Sequence, residues 1–124
     1  MITLLNTDVL YASAGAANAV QFAVFGDLSS SNTSSYDSTQ AKESYSVISA
    51  GVLGTTPSVI AQGQSNRAIL VKRMMFLNVT ASQVAVSFYV NGSAATNQVW
   101  GANIPANGKL SYGEDGWSTY DANG

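Results

Sequence analysis

The chain has 124 residues, 46% of them hydrophobic but only 10% charged, with a formal net charge of −2. At this length folding buries roughly two-thirds of the surface the unfolded chain exposes, so a single core can form without covalent staples. Its five basic residues gather nowhere except at Lys72-Arg73, which excludes a phosphate-binding patch and with it a nucleic-acid partner. Cys and His are both absent, which excludes disulfides, thiolate and imidazole metal sites, Cys nucleophiles and His general bases; no cofactor is expected.

The charged fraction lies well below the roughly 25% of typical domains, so much of the surface must be Ser, Thr, Asn, Gln and Gly. Such a surface suits strands and turns. It also tolerates burial against a neighbouring protein better than charge does, although an ordinary secreted β-domain would share the composition.

The opening segment from Met1 to Ala17 ends in small residues, but it lacks a basic start and Asp8 interrupts its apolar stretch, so it is not expected to be a signal peptide. No apolar run approaches the roughly 18 residues of a membrane-spanning helix. Short apolar pieces follow at Ile2 to Leu5, Val9 to Tyr11, Val20 to Phe25, Tyr45 to Ile48 and Val59 to Ala61. In the third of these, Val20, Phe22 and Val24 alternate with Gln21 and Ala23, a strand pattern. Between Ser29 and Gln40 the chain is too polar to bury and too poor in turn chemistry for a tight hairpin. It is expected to be a long Ser-rich loop, either ordering against a partner through Ser29, Ser30, Ser31, Asn32 and Tyr36, or disordered.

From Arg67 to Val79 the sequence is almost continuously apolar. Its β-branched content and lack of caps favour a strand covered on both faces over a helix. Lys72 and Arg73 would then point to opposite faces, one toward a sheet interior or a subunit contact, unless both reach solvent along their stems. Gln83 to Val90 alternates cleanly, with Val84, Val86, Phe88 and Val90 on one face. Turn signals at Asn91-Gly92, Pro105 to Gly108 and Gly113 to Gly116 recur about every ten residues and mark a sandwich or barrel of short strands. Strands are expected near Asn97 to Ala102, Lys109 to Tyr112 and Trp117 to Asp121, the last two joined by a tight turn through Glu114 and Asp115. This makes one domain over residues 1–124, less regular over about 1–61 and regular over about 62–124.

Glu114 and Asp115 are adjacent acids in a Gly-flanked turn, a setting that faces water and does not support acid–base chemistry. They and nearby carbonyls could at most form a weak calcium site. Tyr112, Trp117 and Tyr120 lie close in sequence, with Trp100 just before them. They could stack on sugar rings or anchor a protein contact, whereas the alternative is that the tryptophans fill the sandwich core or its end. Asn32, Asn78 and Asn91 match the glycosylation sequon, which in an Asn- and Ser-rich chain arises by chance.

The stretches Phe76-Leu77-Asn78, Val84 to Phe88, Ile104 to Tyr112 and Gly116 to Gly124, together with the start Met1 to Leu5, resemble small bacteriophage virion proteins. The resemblance covers a little over half the chain and leaves about Asp8 to Ala61 unmatched. It implies a jelly-roll-like antiparallel β-sandwich with no catalytic residues, located in the virion as a capsid cement or decoration protein or in a tail or fibre attachment. Its partners would be the major capsid protein or other virion proteins, and the chain would form a homotrimer or a dimer.

Overall fold

The computed structural model describes residues 2–28, 46–64 and 68–124. Ten strands and one 3-10 turn run in the order β1 (Ile2–Leu4), β2 (Val9–Ala14), β3 (Val20–Leu28), β4 (Ser46–Val52), β5 (Ser58–Gln62), β6 (Ile69–Asn78) and β7 (Val84–Val90). The turn (Ala95–Asn97), β8 (Gln98–Ile104), β9 (Lys109–Gly113) and β10 (Gly116–Tyr120) complete the elements of the described residues. They form two antiparallel sheets. The larger has the order β10-β9-β6-β3-β4, with β1 also on β6; the smaller has the order β5-β2-β7-β8. The two sheets pack as the β-sandwich expected from the sequence. β6 comes back beside β3 after two intervening strands, and β7 comes back beside β2, so the chain crosses repeatedly between layers.

The core is built from the inward residues of both sheets. Val20, Val24, Val71, Met74, Phe76 and Leu110 come from the larger sheet, and Leu10, Ala12, Val86, Phe88 and Ile104 from the smaller. On β7 the expected alternation holds, with Val84, Val86 and Phe88 buried and Ala85 exposed. The run from Ile69 is a ten-residue strand, so the helical alternative falls. Its outward face is only partly covered, however: Leu77 is 43% exposed, which corrects the expectation of cover on both sides.

Turn chemistry sets the strand ends. Asn91 and Asn107 take φ of 57° and 55°, a region that Asn enters more readily than most residues. Gly116 closes the Glu114-Asp115 hairpin with φ 89°, where a Cβ would be strained. Gly108 is held by a close approach, because a Cβ there would lie 2.2 Å from the carbonyl oxygen of Tyr120.

Asn78 ties two of these turns together from a fully buried position. Its Nδ2 donates to the carbonyl oxygens of Ser82 (2.8 Å), Ile104 (3.1 Å) and Pro105 (3.1 Å). Its Oδ1 accepts from the backbone N–H (2.9 Å) and the hydroxyl (2.7 Å) of Thr80. A buried amide so occupied has no reach to solvent, and the sequon at this position is a chance match. Its task is to link the β6–β7 turn to the β8–β9 turn.

Lys72 and Arg73 require a second correction. Pairing along β3 and β6 shifts register between Phe25 and Gly26, whose partners are Arg73 and Val71, so Lys72 is an extra residue on β6. A bulge of this kind resets alternation, keeping Ile69 and Val71 inward before it and Met74 and Phe76 inward after it. Both cations consequently line one cleft on the outward side of the larger sheet. Lys72 Nζ lies 2.8 Å from Oδ2 of Asp27, and both side chains are largely buried.

Candidate functional site

Cross-strand register decides where the aromatic residues go, because directly paired residues share a face. Trp117 pairs with Tyr112 and both point inward, whereas Tyr120 pairs with Lys109 and points outward. Tyr112 is buried, Trp117 is half-buried and Tyr120 is exposed. The three rings singled out from the sequence thus do not form one exposed platform. Trp117 and Tyr120 are an odd number of positions apart on one strand, a signal that already separates their faces. Ser29, Ser30, Ser31, Asn32 and Tyr36 lie outside the described residues.

Trp117 meets Trp100 across the sandwich. Their rings stack with centroids 4.2 Å apart and planes inclined by 23°, joining β10 of the larger sheet to β8 of the smaller. Phe88 sits 5.0 Å and Tyr112 4.9 Å from Trp117, and Phe76 packs edge-on to Phe88 at 5.2 Å. Offset and edge-on contacts of this kind add to area burial. Burial also pushes the Tyr112 hydroxyl above the ordinary tyrosine pKa.

Beside the tryptophan pair the sandwich opens into a cleft of about 390 Å³. Leu4, Leu10, Met74 and Phe88, all buried, close its floor, while Val90, Val99 and both tryptophans form its walls. Asp8 lines the cleft as well, the one ionisable side chain to do so among the described residues. Its position is set by two hydrogen bonds: Oδ2 accepts from the Leu5 N–H at 3.0 Å and Oδ1 from Asn91 Nδ2 at 3.3 Å. Asn91 Oδ1 in turn accepts from the Val9 N–H at 2.7 Å, so the β1–β2 and β7–β8 turns are joined at the rim. The sequence reading missed Asp8 because nothing local relates it to residues some ninety positions later.

A second, smaller cleft of about 270 Å³ lies on the outward side of β6, β9 and β10, lined by Lys72, Arg73, Glu114, Asp115, Ser118 and Tyr120, among others. Lys109 Nζ stands 5.1 Å from the centre of the Tyr120 ring. Glu114 and Asp115 are exposed at the hairpin tip. They lack the water-excluded surroundings that paired carboxylates need for acid–base work. Among the described residues no three acidic side chains gather as a metal site would require, and no helix is long and apolar enough to cross a membrane.

The rest of the larger sheet's outward face is different in kind. Register places Ala50, Ala23 and Met75 in one row and Val52, Gln21 and Leu77 in the next, with Val47 beside Phe25. None of these side chains is ionisable, and charge begins only where Arg73 continues the Val47–Phe25 row and Lys109 the Leu77 row. Val47 is 62% and Val52 50% exposed, on the strand that ends the sheet.

No family model matches the chain, and searches of curated proteins and of solved structures return no significant match. Fold and site together define an antiparallel β-sandwich whose larger sheet carries charge around β9 and β10 and an uncharged edge strand at β4, with an aromatic cleft at one end.

Proposed function

We propose that this chain is a non-enzymatic structural protein that packs against other protein subunits, in the capsid cement or decoration role implied by its resemblance to small phage virion proteins. The observation that carries this reading is the uncharged edge strand β4, where Val47 and Val52 stand exposed, with Leu77 exposed two strands away on β6. Apolar residues on an edge strand without a charge to guard it favour pairing or packing with another chain. The returns of β6 and β7 across the sandwich agree with the jelly-roll-like connectivity that the resemblance implies. A symmetric oligomer, a trimer on capsid three-fold positions or a dimer on two-fold positions, would place that face against the major capsid protein of the virion. Binding only the assembled shell adds its free energy to that of the lattice and so raises shell stability.

The test adds the purified protein to capsids that lack it and then heats the shells. Stoichiometric binding with a raised disruption temperature is the expected outcome, and Val52→Lys weakens binding about tenfold while the fold persists. If capsids are ignored and tails or fibres are bound, the attachment role replaces the cement role. If no virion component is bound, the assembly reading fails.

A further inference from the structure

We propose that the end cleft beside Trp100 and Trp117 is a binding site for small organic cations, molecules with a compact apolar body and one ammonium group. The inference does not rest on the assembly reading.

Three observations converge on this class. The cleft's volume, about 390 Å³, falls within the roughly 300–1,000 Å³ of small-molecule sites, and buried Leu4, Leu10, Met74 and Phe88 make it a cup with a closed floor. Apart from Thr3 and Asp8 its lining is aliphatic and aromatic, so the body that fills it is apolar, and an indole face also attracts a cation. The charge in the lining is the Asp8 carboxylate, which its bonds to the Leu5 N–H and Asn91 Nδ2 hold in place before any ligand arrives. A fixed carboxylate against an apolar cavity attracts a cation and repels an anion. Sugars, with hydroxyls all round, would leave polar groups unpaired against Leu10, Val90 and Met74. Preorganisation limits the ordering cost of binding, since the turns that carry Asp8 and Asn91 are already bonded to each other.

The test titrates the whole protein with 2-phenylethylammonium and, separately, with its neutral analogue 2-phenylethanol, reading tryptophan fluorescence. The chain has two tryptophans and both line the cleft, so the signal reports on this site. A saturable change is expected with the ammonium probe, at an affinity about threefold or more above that of the neutral analogue. Asp8→Asn keeps an oxygen acceptor for the Leu5 N–H and removes the preference for the cation. As a second variant, Val99→Lys sets a positive charge on the exposed part of the cleft wall and weakens the ammonium probe about tenfold more than the neutral analogue. No saturable response in the native protein overturns the site. Equal affinities for the two probes, or a cation preference that survives both substitutions, overturns the ligand class.

Discussion

Asn78 shows how much one side chain can hold when it is buried and fully bonded. Replacing it with Ala removes its bonds to Ser82, Ile104, Pro105 and Thr80, while the Thr80 hydroxyl still donates to Ser82 and the Gly108 N–H to Pro105. We expect Asn78→Ala to cost about 3 kcal/mol in urea unfolding, from the bonds lost between the two turns and the buried volume left empty. Asn78→Asp costs at least as much, because a carboxylate then faces three carbonyl oxygens. Tyr112 gives a prediction of opposite character. Burial disfavours its phenolate, so the folded chain holds the phenolic proton more tightly than the unfolded chain. That contribution is present below the unfolded pKa of about 10 and is lost as pH rises through the higher folded value. Above pH 10 the native chain should therefore lose stability relative to Tyr112→Phe, which has no phenol to ionise, as urea midpoints across that range would show. A native chain that loses no stability there relative to the variant would contradict this account.

Among the elements, β6 carries the most information. Its residues alternate correctly on either side of Lys72, and the inserted residue is what places two cations on one cleft and one of them beside Asp27. Deleting Lys72 leaves the sequence Ile69-Leu70-Val71-Arg73-Met74 in unbroken alternation, so the strand should still pair with β3 and β9. The deletion takes away the ammonium that faces a buried carboxylate, however, and should cost about 3 kcal/mol. Adding Asp27→Asn to the deletion should restore most of that loss. Denaturant curves of the native, deleted and doubly changed chains measure all three quantities; a double variant no more stable than the deletion would assign the loss to the bulge itself. The five C-terminal strands were legible in the sequence because Val84 to Val90 alternates and because the Asn91, Pro105 to Gly108 and Glu114-Asp115 turns fall where local chemistry demands them. The bulge was not legible, since two adjacent cations in an apolar run satisfy either a regular strand or a broken one.

For the molecule as a whole, the tryptophan pair closes one end of the sandwich and joins its two layers. Trp117→Ala removes contacts with Trp100, Phe88, Phe76 and Tyr112 at once and should cost about 3 kcal/mol. Tyr120→Ala, on the outward face of the same strand, should stay within about 0.5 kcal/mol. Near-ultraviolet circular dichroism and urea unfolding of both variants check the contrast, and equal losses would mean that Trp117 does not join the layers. The low charge noted from composition also acquires a location: the uncharged rows lie on β3, β4 and β6, while Lys72, Arg73, Glu114 and Asp115 gather around the outward cleft near β9 and β10.

The sequence by itself determined the fold class, most strand positions and the turns, because alternation and the backbone preferences of Asn, Gly and Pro act over a few residues. Only the tertiary structure decided that Tyr112 and Trp117 turn inward while Tyr120 turns outward, that Lys72 meets Asp27, and that Asp8 stands beside a cleft walled by Trp100 and Trp117. These juxtapositions depend on strand register and on a single inserted residue. They join segments far apart in the chain, and no local preference specifies which distant strand a residue will face.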